Sequence, residues 1–237
     1  MSSTPTQTMH LTLDDGELPV ELFLPPSGSG PGLVLVQEIF GVSAYIRDRA
    51  ADLAALGYVV AVPELYWRIG VVATAEDGDI NDILAEGMGA ANRVGLAHAI
   101  ADTTATLAWF PERPEVTGPV GLIGFCFGGG VAFAVAAQTN PALLISYYGS
   151  SIPDQVDSVG AVTVPSLHHW GTADAFIPLD VQDRVRQAID GPHVEWHSYD
   201  GANHAFDNPN PAFHHPDASA LAWQRTEDFL RRLLPTD

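Results

Sequence analysis

Hydrophobic and polar positions along this 237-residue chain switch repeatedly between a strand-like and a helix-like pattern. Residues 9–13 and 20–24 flank Asp14-Asp15-Gly16, a turn signal that predicts a hairpin. The Pro/Gly/Ser run at 25–31 is a loop. Residues 32–37, Gly-Leu-Val-Leu-Val-Gln, are apolar without alternation, as in a strand covered on both faces. An amphipathic helix is predicted over 44–56, closed by Gly57, and a buried strand over 58–62 ends at Pro63. Residues 64–91 are less regular and predict a loop with short helical pieces over one end of a sheet. A helix is predicted over 93–109. Beyond it follow a strand at 120–123, a small-residue helix at 130–137, strands at 143–148 and 164–170, a helix at 178–189, a strand at 194–199 and a terminal helix at 218–234.

Strands alternating with helices predict one α/β domain over 1–237, a mainly parallel doubly wound sheet with helices on both faces. In such sheets ligands bind beyond the C-terminal ends of the strands. The polar segment 1–8 is expected to be a flexible N-terminus, and it shows no signal peptide. A hydrophobic fraction of 46% with 16% charged residues describes a globular chain. Its single cysteine excludes an intrachain disulfide and fits a reducing, cytoplasmic setting. The 10 Lys+Arg (all arginine) against 29 Asp+Glu give a formal net charge of −19. That balance argues against nucleic-acid and anionic-membrane partners. No apolar run is long enough to span a bilayer. The sequence implies no oligomeric state, and it is compatible with a monomer.

The lone cysteine, Cys126, lies in Gly124-Phe125-Cys126-Phe127-Gly128-Gly129, between the strand at 120–123 and the helix at 130–137. This is the thiol counterpart of the Gly-x-Ser-x-Gly nucleophile elbow. The helix N-terminus there favours thiolate. Asp174 follows the strand at 164–170 and His204 the strand at 194–199. Alone, Cys126 reads as a buried hydrophobe, Asp174 as a helix cap and His204 as a loop residue. Together, in the order nucleophile, acid, histidine and each at a strand end, they match the α/β-hydrolase triad.

Gln37-Glu38-Ile39-Phe40-Gly41, the cysteine elbow, Tyr147-Tyr148-Gly149, the segment around Asp174 and Gly201-Ala202-Asn203-His204-Ala205-Phe206 resemble dienelactone hydrolase, from about residue 33 to the terminal helix. The resemblance implies an α/β-hydrolase fold and cleavage of a carboxylic ester or lactone through an acyl-enzyme on Cys126. It implies that Glu38 contacts the resting thiol and moves on substrate binding so that the proton can leave. It places an oxyanion hole at the backbone N–H groups of Ile39 and Phe127 and a pocket-lining tyrosine at Tyr147, with Phe206 beside the histidine as a second substrate contact. Members that cleave dienelactone bind its carboxylate with two arginines. One follows the catalytic histidine, where this chain has Asp207-Asn208. The other belongs within 64–91, where only Arg68 occurs, and Arg93 is the candidate substitute. Asp207 beside the site would discourage an anion, so a neutral small-molecule ester or lactone is the expected substrate.

His168-His169 and His214-His215 lack a completing set of ligands, so no metal is expected. The five tryptophans are scattered and read as packing. No dinucleotide or Walker motif occurs, so no cofactor is expected. A non-catalytic hydrolase-fold binding module, a thiol redox protein and an acyltransferase are the alternatives. The intact triad opposes the first, the absent resolving cysteine the second, and no residue excludes the third.

Overall fold

The computed structural model describes residues 3, 5–74, 78–158 and 161–236. The chain opens with the hairpin β1 (Gln7–Leu13) and β2 (Gly16–Phe23), then β3 (Gly30–Val36), α1 (Ala44–Ala55) and β4 (Val59–Pro63). Helices α2 (Ile80–Val94) and α3 (Leu96–Trp109) come next, followed by β5 (Val116–Phe125), α4 (Phe127–Gln138), β6 (Leu144–Tyr147) and the short α5 (Ile152–Gln155). The chain ends with β7 (Ser166–Gly171), α6 (Leu179–Ile189), β8 (Val194–Tyr199) and α7 (Pro216–Leu233). The eight strands form one sheet in the order β1-β2-β4-β3-β5-β6-β7-β8. Neighbours from β4 to β8 are parallel, whereas β1–β2 and β2–β4 are antiparallel.

The unalternated runs are the central strands, and β3, β4, β6 and β7 are buried along nearly their whole length. Both faces need cover because side chains alternate across a strand. One face carries α4, whose Phe133 meets His168 edge-on. On the other, Phe125 packs on Tyr45 of α1, and His169 reaches Thr226 of α7. The two histidines of β7 thus point to opposite faces. His215 is the N-cap of α7 and accepts from the Ala218 N–H.

The largest departure from expectation lies in 64–91. Its second half is the 15-residue helix α2, capped by the Asp79 carboxylate, which accepts from the Asn81 N–H. Residues 75–77 lie outside the described residues. The helix expected from 93 is two helices meeting at Gly95, whose φ of +78° breaks the run. Gly87 explains why α2 has a weak helical signature. A Cβ there would sit 3.0 Å from the Phe40 ring and 3.2 Å from the Ile39 carbonyl. The glycine that lowers helix propensity lets α2 pack on the segment after β3.

Candidate active site

Strand β5 delivers Cys126 to the start of α4 with φ 53° and ψ −115°, a left-handed backbone at a non-glycine residue. The turn is held open by its neighbours. A Cβ at Gly124 would collide with the Gly128 carbonyl, and one at Gly128 with the carbonyls of Val36 and Gln37. The Cys126 carbonyl accepts from the N–H groups of Gly129, Gly130 and Ser150, at 3.0, 3.2 and 3.1 Å. Its own N–H donates to the Tyr147 carbonyl at 2.9 Å. The thiol therefore stands at the C-terminal edge of the sheet on a rigid frame.

His204 Nε2 lies 3.1 Å from Cys126 Sγ, and its Nδ1 lies 2.8 Å from Asp174 Oδ2. The other Asp174 oxygen accepts from the N–H groups of Phe176 and Ile177, each at 2.9 Å. Asn203 Oδ1 joins the two loops, accepting from the Ala175 N–H at 2.9 Å and the His204 N–H at 2.7 Å. The imidazole lies between the rings of Tyr148 and Phe176, with centroids at 5.2 and 5.1 Å. Burial opposes a charge on His204. The adjacent thiol and Asp174 outweigh that and push the imidazole up to about 10. Such a relay can take a proton from sulfur and return it to a leaving group.

Glu38, 1% exposed, stands on the same cavity wall. Its Oε1 accepts from Asn208 Nδ2 at 2.6 Å. Ile39 and Phe127 also line the cavity, and Phe127 is the first residue of α4, where a backbone N–H lacks an intrahelical acceptor. The cavity measures about 490 Å³. Beyond the reactive groups its wall is mostly apolar, with Phe40, Ile80, Leu84, Met88, Phe176 and Phe213 beside the polar Asn92, Ser150 and Asn203.

Several expected positions fall elsewhere. Tyr147 is fully buried, its hydroxyl 2.7 Å from Thr226 Oγ1 and its ring packed on Phe125 and His169. It is a core residue rather than a pocket wall, because it points to the α7 face of β6. Phe206 is likewise buried, against Tyr147, Tyr148 and Tyr199. Arg93 is exposed near the end of α2 and does not line the cavity, although the adjacent Asn92 does. Arg68 is bound to Asp15 and Asp102. Asp207 also differs from expectation: it is buried and off the cavity wall. Its oxygens accept from Arg49, twice at 2.8 Å, from the Tyr45 hydroxyl at 2.5 Å and from Ser219 Oγ at 2.6 Å. The charge is thus neutralised within the fold.

Asn208, Tyr148, Phe176 and the face of α2 were not anticipated as site residues. Only the helical spacing of Ile80, Ile83, Leu84, Gly87, Met88 and Ala91, with Asp79 as a cap, carried a usable signal. Among the described residues no cluster of three or more His, Cys, Asp or Glu could hold a metal, and no helix is long and apolar enough to cross a membrane.

The family model for the dienelactone hydrolase family matches residues 18–234. A carboxymethylenebutenolidase of Pseudomonas sp. (strain P51) is 33% identical over 223 residues, covering 93% of this chain and 92% of the relative. A carboxymethylenebutenolidase of Pseudomonas putida is 31% identical over 210 residues, covering 88% and 89%. A solved chain from Klebsiella pneumoniae subsp. pneumoniae MGH 78578 superposes with a TM-score of 0.78 at 27% identity, over 95% of this chain and 98% of that one.

Proposed function

The chain belongs to the dienelactone hydrolase family of α/β-hydrolases, and from that premise we propose that it cleaves neutral carboxylic esters or lactones through an acyl-enzyme on Cys126. The observation that carries this reading is the continuous relay from Sγ through His204 to Asp174, with Sγ to Nε2 at 3.1 Å, at the base of an apolar cavity.

In the proposed reaction His204 holds the thiol proton and the thiolate attacks the substrate carbonyl. The backbone N–H groups of Ile39 and Phe127 receive the developing oxyanion. Preorganised donors of this kind are worth on the order of 10²–10³ in rate each. The tetrahedral adduct collapses, His204 protonates the departing alkoxide, and a thioester remains on Cys126. His204 then takes a proton from water, which attacks the thioester and regenerates the thiol. Asp174 fixes the imidazole tautomer and balances its charge. Glu38 governs release of the thiol proton when substrate enters.

The carboxymethylenebutenolidase relatives make dienelactone the first substrate to test. The wall favours neutral esters, because among the described residues no arginine lines the cavity and Glu38 is its carboxylate apart from the relay. One charge-assisted contact to a substrate carboxylate is worth roughly 1.5–3 kcal/mol. The test compares kcat/KM for dienelactone and its methyl ester, in the parent and in Cys126→Ala. The parent should favour the methyl ester by about ten-fold, and the variant should stay folded and lose hydrolysis. Parent-level activity in a folded Cys126→Ala protein would refute the nucleophile. A ten-fold preference for the anion would refute the neutral-substrate reading and leave the relay standing.

A further inference from the structure

Next to the catalytic cavity lies a second one of about 220 Å³, lined by Asp48, Tyr45, Ile83, Asn208 and Asn210. Among the described residues, only Phe40 and Phe213 line both. Their rings stack at 6.0 Å with 25° between planes. The two rings differ in how they are held. Phe40 is buried and backed by Gly87 of α2. Phe213 is half-buried on a loop turn whose N–H donates to the Asn210 carbonyl at 2.9 Å. On the thiol side the wall continues as Ile80, Leu84 and Met88, and on the far side the lining is mixed, with Asp48, Asn208 and Asn210 beside Ala44, Tyr45, Ile83 and Pro209.

We infer that the Phe40–Phe213 pair is the end wall of the substrate cavity and sets the length of the acyl or alcohol chain the enzyme accepts. The substrate class is then a compact neutral ester or lactone whose apolar part stops at the two rings. A longer chain meets an aromatic face that separates it from the second cavity. Phe213, the ring on the loop, is the specificity-determining member. The inference rests on the proposed reading for the identity of the substrate, but the wall can be tested without ester hydrolysis.

The test measures alkylation of Cys126 by N-methylmaleimide and N-hexylmaleimide, read by intact mass, in the parent, Phe213→Ala and Phe40→Leu. The reagents share one electrophile and differ in chain length, so the hexyl-to-methyl rate ratio reports room at the wall. Each methylene newly housed is worth about four-fold, and Phe213→Ala should raise the ratio about ten-fold or more. Phe40→Leu should move it the same way and decides the matter if Phe213→Ala does not fold. Ratios within two-fold of the parent in folded variants would overturn the inference. A parent that cleaves no ester would refute the proposed function, and the maleimide ratio would still decide whether the wall limits chain length.

Discussion

Cys126, Tyr148 and Ala205 are the non-glycine residues with left-handed φ among the described residues, at 53°, 38° and 56°. All three surround one imidazole: Cys126 touches it, Tyr148 packs on it and Ala205 follows it. Each such residue costs on the order of 1–3 kcal/mol, which persists only where surrounding structure over-determines the conformation. The electrostatics of His204 offer a direct test of the relay. Burial holds a proton off the ring, and only the thiol and the Asp174 carboxylate reverse that, bringing it to about 10. Removing the thiol removes a leading raising contribution, so in Cys126→Ala the imidazole should titrate below the parent's midpoint. NMR of the His204 ring through a pH series checks this, and an unmoved midpoint would mean the thiol does not interact with the ring. The three relay residues were legible in the sequence because glycine spacing and strand ends fix their places along the chain. Asn208 was not: its partner Glu38 lies 170 positions away, and no local pattern encodes such a meeting. Asp207 misled for the same reason, since its partner Arg49 comes from α1.

At the scale of elements, the sheet and most helices could be read because burial on two faces leaves unalternated apolar strands. Helix α2 could not. Its Gly87 serves close packing rather than flexibility and makes room for Phe40, whereas a Cβ at Gly89 would meet nothing within 4 Å. The hidden element is also the one that shapes the cavity, with Ile80, Leu84, Met88 and Ala91 on its inner face. Apolar contacts of this kind bind substrate and transition state alike, so they should act on KM rather than kcat. Leu84→Ala removes part of a half-buried apolar wall, a loss of about 1–2 kcal/mol in binding. KM for an apolar ester should rise about five- to thirty-fold with kcat within about two-fold. Steady-state kinetics separate the two constants. A fall in kcat at constant KM would show that α2 positions the reacting groups instead of holding substrate.

For the whole molecule, a net charge of −19 is joined to a core that buries two neutral histidines. Arg47, Arg49, Arg68, Arg113, Arg184, Arg231 and Arg232 are all committed to carboxylates, and among the described residues no arginine lines the cavity. His168, on the α4 face of β7, has neither ring nitrogen hydrogen-bonded, and burial lowers it to about 3. Burial, then His197, His168 and Arg225, hold His169 well below its ordinary value. The unfolded chain binds these protons near pH 6.5 and the folded chain does not. The histidines therefore leave stability intact above 6.5 and withdraw it as pH falls toward 3. For His168 alone, the gap between 6.5 and about 3 amounts to about 2 kcal/mol lost by pH 5. Protonation of the many surface carboxylates relieves their mutual repulsion over the same range, so the acid limb of the parent alone mixes two opposed effects. His168→Leu separates them, because both proteins share the surface. At pH 7.5 the variant should be at least as stable, since it removes two unpaired buried nitrogens. At pH 5 its advantage should grow by about 2 kcal/mol, measured by urea unfolding at both pH values. Stability curves that run parallel from pH 7.5 to 5 would show that His168 takes its proton in the folded state and that the core is not the source of acid sensitivity.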